Sequence, residues 1–324
     1  MAVRAWQALP VWALGRKSAF HSRRFQHVFW EKGGAMQIFI GLDGGGTGCR
    51  AQAEFGDGRR GAVLTGGPAN VFSDFDAAMH AISDLLARCI AQAGGASVVQ
   101  PVIVLGLAGA TESGAAEQVK ARLPYQNVTV LGDIDIALMG AFPEGEGIVM
   151  AVGTGSVVAR CYGGRVQRLG GHGLVLGDEG SGAWMGREAL RRCLLAQDGL
   201  AEEGALTRHI RAQFGSVRAI ISFAAQARPA DFATLAPLVL AQAHCPVAGA
   251  ILDAACAYLR RAIRQLQAGQ PHVPVAATGG LGPALLARMV QCDSAGLRNV
   301  AASGTGLDGA LWYARNRAAQ EKMA

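Results

Sequence analysis

Residues 37–53 read QIFIGLDGGGTGCRAQA, and residues 147–161 read GIVMAVGTGSVVARC. In each stretch an apolar run ends on a glycine-rich turn carrying a threonine, and a second run follows at once. An unbroken apolar run is the pattern of a strand buried on both faces. Neither turn opens a helix, as a dinucleotide-binding fingerprint must, and neither is followed by the lysine of a Walker A loop. Each therefore reads as a strand–turn–strand unit, used twice in one chain.

Working outward from the first unit, 37–43 and 49–55 are expected to be strands. A third is expected at 62–65, after a tight turn at Gly56-Asp57-Gly58. A helix follows over 74–93, with Ala78, Ile82, Leu85, Leu86 and Cys89 at three- and four-residue steps. The run 99–107 predicts a central strand, 113–122 a helix and 127–131 a strand, giving the order β-β-β-α-β-α-β. The second unit begins again with strands at 147–152, 157–161 and 165–169. A helix over 181–197 and further helices to about 269 precede a strand at 274–278, a helix at 283–291 and a closing helix at 307–317. The fold class expected is α/β, with the same unit duplicated in two lobes. The N-terminal lobe would span 36–142 and the C-terminal lobe 143–307, with 308–318 a candidate to pack back on the first.

The chain has 324 residues, 51% hydrophobic and 17% charged, which suits two folded domains and excludes a disordered chain. Glycine contributes 45 of them, about twice the usual share, without a collagen period. The net charge is +6, but residues 1–35 hold six basic residues and one acid, leaving +1 for the remainder. The body is thus not basic, and nucleic acid is not an expected partner. Residues 1–35 read either as a transit peptide or as the product of an upstream start codon, with the working chain beginning at Met36. No stretch reaches ~18 uninterrupted apolar residues, so no membrane span is expected. The seven cysteines form no CxxC pair and suit reduced, buried thiols of a cytoplasmic protein.

The glycine turns carry the chemistry. Gly44, Gly45, Gly46 and Thr47 in the first, and Gly153, Thr154, Gly155 and Ser156 in the second, offer backbone N–H groups to anionic oxygens with no side chain in the way. The hydroxyls of Thr47, Thr154 and Ser156 add donors. Glycine is expected here in part for positive φ. Two such turns facing each other would grip a polyphosphate. Asp43, at the end of its strand, would be repelled by phosphates unless a cation lay between, which argues for Mg²⁺ held mostly through water. Asp133 follows the strand 127–131 at a helix start, and reads either as a cap or as a general base for a hydroxyl, with Asp135 as competitor. Asp178-Glu179, on a glycine-rich loop preceded by Gly170-Gly171-His172-Gly173, suits sugar hydroxyls or a helix cap. Asn70, in Gly67-Pro68-Ala69-Asn70, would present an amide to a polar ligand or merely shape a turn. Thr278-Gly279-Gly280, between a strand and a helix, suits adenosine or the α-phosphate. Ser303-Gly304-Thr305-Gly306 reads as a turn and cap.

Taken together, GLDGGGTGCRA (41–51), GGPAN (66–70), GDIDIA (132–137), VGTGS (152–156), GDEGSGAWMG (177–186) and LLAQDG (194–199) resemble one family over 37–316. It is the amino-sugar kinases of the actin/hexokinase/Hsp70 superfamily, in the BadF/BadG/BcrA/BcrD-type ATPase branch, which implies a two-lobed, ribonuclease H-like actin fold around a central nucleotide cleft. The resemblance implies ATP and Mg²⁺ as cofactors and glucosamine or N-acetylglucosamine as the substrate, phosphorylated at the 6-hydroxyl. It implies Asp43 at the metal, and residues 44–47 and 153–156 on the phosphates. It further implies Gly279 and Gly280 at adenosine, Asn70, Gly171 and Asp178 at the sugar, and Asp133 as the base and a sugar contact. Homodimers are common in that family. Its branch also holds ATPases that activate dehydratases through an iron–sulfur cluster, and a sugar sensor without catalysis is a further alternative. Retention of Asp43, Asp133 and both turns favours the enzyme.

Overall fold

The computed structural model describes residues 37–95, 100–143, 145–163, 165–270, 272–292 and 297–321. The extension 1–35 lies outside the described residues, as does the start of the expected strand 99–107. The described chain forms two compact units. One comprises the described parts of Met1–Gly145, Cys161–Val166 and Ser303–Ala324, and the other Glu146–Arg160 and Gln167–Ala302.

The first unit is built on a five-stranded sheet ordered β3-β2-β1-β4-β5. Its strands are β1 (Ile38–Gly44), β2 (Cys49–Phe55), β3 (Leu64–Gly66), β4 (Val102–Leu107) and β5 (Val128–Gly132). β1 pairs antiparallel with β2 and parallel with β4, and β4 pairs parallel with β5. Apolar side chains leave both faces of β1 and β4. Ile38, Ile40, Leu42, Ile103, Leu105 and Leu107 join α1 (Phe75–Ala93) and α3 (Ala116–Arg122) in one buried cluster. Phe39, Val102 and Val104 join α4 (Asp133–Ala141) and α12 (Gly306–Glu321) in another. The sheet is therefore covered on both sides, as its unbroken apolar runs require.

Differences from the sequence expectation are local. The third strand begins at Leu64 rather than 62, because the turn beyond Phe55 first closes a bridge between Glu54 and Arg60. The expected helix 113–122 is two helices, α2 (Ala110–Ser113) and α3, parted where Gly114 takes φ 64°. Asp74 caps α1 by accepting from Ala77 N–H at 3.0 Å.

The last helix belongs to the first unit. Thr305 and Asp308 form a capping box: Asp308 accepts from the N–H and hydroxyl of Thr305 at 2.8 and 2.7 Å. Asp308 also accepts from Arg60 at 2.6 Å, and Arg60 and Arg315 both bond the buried Glu54. Burial alone would raise the Asp308 carboxyl. The bonds from Thr305 and Arg60 outweigh it and hold the group below its ordinary value. α12 crosses α4 with backbones in contact. A Cβ on Gly309 would overlap the Ile136 carbonyl, and one on Gly140 would overlap that of Thr305.

The second unit carries a four-stranded sheet ordered β8-β7-β6-β9, made of β6 (Gly147–Val152), β7 (Ser156–Tyr162), β8 (Arg165–Gly170) and β9 (Val275–Thr278). β6 and β9 are parallel. The helices run from α5 (Gly182–Gln197) through α6 (Ala205–Phe214), α7 (Val217–Gln226), α8 (Pro229–Ala233), α9 (Ala236–Ala241) and α10 (Pro246–Gln267) to α11 (Gly282–Cys292). Among the described residues a fifth strand is reduced to one parallel bridge, Val275 to Asn299. The buried Arg160 caps α10, donating to the Leu266 carbonyl at 2.7 Å and to Gln270 at 2.6 Å. No single described helix is long and apolar enough to cross a membrane.

The α4–α12 crossing leaves no space for a side chain. Gly309→Ala should therefore destabilise the protein by about 2 kcal/mol or more, since overpacking against backbone cannot relax by rotamer change. Urea unfolding of the variant beside the parent measures it.

Candidate active site

In the first unit the glycine turn is sorted by polarity. Its carbonyls point into the fold: Gly44 O accepts from Ala108 N–H at 2.8 Å, Gly45 O from Ala69 N–H at 2.9 Å, and Gly48 O from Gly45 N–H at 2.9 Å. The exposed residues Gly46 and Thr47 contribute N–H groups for which no protein acceptor occurs among the described residues. A Cβ on Gly46 would meet nothing within 4 Å. The second turn repeats the pattern. Gly153 O and Thr154 O accept from Gly182 and Ala183 at 2.8 and 3.1 Å. Gly155 O accepts from Gly153 at 3.0 Å, and Ser156 O from Gly171 at 2.8 Å. All four carbonyls are engaged, which leaves the N–H groups of Thr154 and Gly155 for an external acceptor.

This corrects the expected reason for the glycines. Neither Gly44, Gly45, Gly46, Gly153 nor Gly155 takes positive φ. Gly44 is required because Leu107 would lie 2.8 Å from a Cβ, and Gly46 and Gly153 keep the approach to the amides bare.

Sheet register fixes the two carboxylates of the first unit. Asp43 on β1 is opposite Gly106 on β4, which is opposite Leu131 on β5, and Asp133 comes two residues later. Two strand spacings put the backbones of Asp43 and Leu131 roughly 10 Å apart. Asp133 and Asp135 now separate. Asp135 is buried and caps α4, accepting from Gly132 N–H at 3.0 Å. Asp133, half-buried at the first position of α4, accepts from Ile134 N–H at 2.8 Å.

Asp43 pairs with Arg50 at 2.8 Å. The sequence reading missed Arg50, although a β1–β2 hairpin with this register sets the two residues directly opposite each other. The Asp43 carboxylate also lies at the N-terminal end of α12, 3.2 Å from where a Gly306 Cβ would be. The surroundings fit Mg²⁺. One hard carboxylate at the end of β1 suits an ion held mainly by water and phosphate oxygens, and no group of three or more His, Cys, Asp or Glu occurs among the described residues to form a closed cage.

Asn70 does shape a turn, its Oδ1 accepting from Phe72 and Ser73 N–H at 2.9 and 3.0 Å. Its Nδ2 has no acceptor among the described residues. The helix cap near Asp178 is Ser181, which accepts from Trp184 N–H at 3.1 Å. Asp178 is 7% exposed and takes φ 60°, accepting from Gly173 N–H at 3.2 Å. Burial pushes its carboxyl up. The amides of Gly173 and Ser156 and the charge of His172 oppose the rise, while Glu179 adds to it. Gly171 takes φ 74° and spends its N–H on Ser156. Gly279 is forced to glycine by φ 80° and by contact with the Val152 carbonyl, whereas Gly280 is exposed with open space above it.

Comparison with known proteins follows this geometry. Residues 40–314 match the BadF/BadG/BcrA/BcrD ATPase family. The chain is 30% identical over 214 residues to glucosamine kinase GspK of Vibrio cholerae, covering 65% of this chain and 73% of that protein. It is 31% identical over 177 residues to the N-acetylmuramic acid/N-acetylglucosamine kinase of Clostridium acetobutylicum, covering 52% and 57%. Its fold matches a crystal structure named "Putative N-acetylglucosamine Kinase" from Chromobacterium violaceum with TM-score 0.79 and 33% identity, over 87% of this chain and 100% of that one.

The division of labour between the two aspartates is testable by stability. Asp135→Ala should cost about 1 kcal/mol through the lost cap of α4, and Asp133→Ala less. Chemical denaturation of both variants gives the comparison.

Proposed function

We propose that this chain, which belongs to the BadF/BadG/BcrA/BcrD ATPase family, is an ATP-dependent amino-sugar kinase that phosphorylates the 6-hydroxyl of glucosamine or N-acetylglucosamine. The observation that carries the reading is the placement of Asp133. Its carboxylate follows β5 at the C-terminal edge of the sheet, two strands from the Asp43 turn, while Asp135 meets the capping demand of α4. A carboxylate so placed suits a general base.

In this reading Asp133 takes the proton of the sugar hydroxyl as its oxygen bonds to the γ-phosphorus, and ADP departs with the bridging oxygen. The outward amides of Gly46, Thr47, Thr154 and Gly155, with the hydroxyls of Thr47 and Thr154, hold phosphate oxygens. Phosphoryl transfer depends mainly on positioning and charge stabilisation, so few side chains are needed. Mg²⁺, held beside Asp43 and the Thr47 hydroxyl, would supply charge neutralisation when bound. The Asn70 amide and the Asp178 carboxylate orient the sugar, and Gly280 leaves space for adenosine. The kinase relatives and the retained aspartates support this reading over a sugar sensor.

ADP release should depend on an amino sugar when glucosamine, N-acetylglucosamine, glucose and N-acetylmuramic acid are compared in a coupled assay. Release at the same rate with no sugar present overturns the kinase reading in favour of an ATPase activator. Phosphorus NMR of the product tests the 6-position. Asp133→Asn should lower kcat by about 10²–10⁴-fold with nucleotide affinity kept; near-normal turnover would remove Asp133 from the role.

A further inference from the structure

The turn 153–156 and the loop 170–182 are one hydrogen-bonded assembly within the second unit. Gly171 N–H donates to Ser156 O at 2.8 Å, and Ser156 Oγ donates to Glu179 O at 3.0 Å. Gly182 and Ala183 hold the carbonyls of Gly153 and Thr154. Asp178 lies at the centre of this assembly. Its Oδ1 accepts from Gly173 N–H, and its Oδ2 lies 3.0 Å from where a Gly155 Cβ would be, against the Gly155–Ser156 peptide. Ser181 N–H bonds its carbonyl at 2.9 Å. The backbone at φ 60° is one that non-glycine residues rarely adopt, with aspartate and asparagine among the most tolerant. Such a conformation persists where its surroundings over-determine it. Here the backbone amides of Gly173, Ser156 and Ser181 do so.

We infer that Asp178 is a positioning residue for the nucleotide side of the site: its buried carboxylate braces the Gly155–Ser156 peptide, so that the outward amides of Thr154 and Gly155 are set before the nucleotide arrives. The inference rests on the proposed reading of 153–156 as a phosphate turn, and extends Asp178 beyond the sugar contact. A carboxylate has about four acceptor sites, so bracing the turn leaves capacity for a sugar hydroxyl.

The test is nucleotide affinity without sugar. Titration calorimetry with Mg²⁺ and a non-hydrolysable ATP analogue compares the parent with Asp178→Ala, Asp178→Gly and Asp178→Asn. Kinetics then separate KM for ATP, KM for sugar and kcat. Asp178→Ala and Asp178→Gly should each weaken sugar-free nucleotide binding about tenfold or more, the loss expected when charge-assisted bonds to backbone amides are removed. Glycine relieves the strained φ, so recovery in Asp178→Gly would assign the effect to backbone strain and overturn the bracing role. Asp178→Asn keeps one acceptor oxygen and the left-handed tolerance, and should fall between. If the alanine and glycine variants do not fold, asparagine alone decides: a several-fold loss supports the brace, and parental affinity overturns it. Unchanged nucleotide affinity with raised sugar KM overturns this inference and leaves the kinase reading intact. A parent chain that binds no nucleotide overturns both.

Discussion

The register of three parallel strands governs the first unit. β1, β4 and β5 are paired so that Asp43, Gly106 and Leu131 stand in a row, and the two carboxylates of the candidate site inherit their spacing from that row. The sheet is buried on both faces, so a one-residue slip of β1 would exchange Ile40 and Leu42 with Phe39 and move Asp43 to the opposite side. The cost of that slip holds Asp43 in place more firmly than the single bond to Arg50, which is half-exposed and weak by comparison. The glycine crossing of α12 and α4 serves the same end. It lets two backbones lie close enough to press Leu311 and Ile136 onto the sheet, while the N-terminal end of α12 reaches Asp43. The ion network of Glu54, Arg60, Arg315 and Asp308 ties that helix to β2 and the loop that follows it.

A common device appears in both units. Each glycine turn engages inward carbonyls with neighbouring segments and leaves amides outward. In the first, Gly45 O accepts from Ala69, the residue before Asn70; in the second, Ser156 O accepts from Gly171, in the loop leading to Asp178. The loop proposed to meet the sugar is thus bonded directly to the turn proposed to meet phosphate, in each unit by itself. Preorganised amides require no reorganisation as charge develops, which is how backbone alone can stabilise a transferring phosphoryl group.

Element order and the strand–turn–strand units could be read from the chain because they follow from runs and periods of apolar residues. Choices among nearby polar residues could not. Asp133 and Asp135 share one short stretch, and Asp135 takes the cap because it is three residues past Gly132, where a carboxylate reaches back to the first free amide. Ser181 rather than Asp178 caps α5 for the same reason, with Trp184 three residues on. The glycine turns were placed correctly but for an incomplete reason. Space above the amides, not a left-handed backbone, is what those positions require, and space is a property of neighbours that a sequence does not display. The split of α2 from α3 likewise depends on local backbone, not pattern.

The cysteines bear on which chemistry of the family this chain serves. An activator that passes electrons through an iron–sulfur cluster needs thiolates at an accessible surface. Cys49, Cys89, Cys161, Cys193, Cys245 and Cys256 are buried, and burial pushes Cys49 and Cys193 up and Cys89 up to about 11. Cys245 runs the other way: burial would raise it, but the amides of Leu206, Ala248, Val247 and Ala205 outweigh burial and lower it. Even so, its sulfur lies close to Gly204, 2.7 Å from where that residue's Cβ would be, and it is only 8% exposed. These thiols are used to fill the core, as small apolar groups. Beside the outward amides of the glycine turns stand the Asp43 and Asp178 carboxylates, oxygen donors that suit magnesium and sugar hydroxyls.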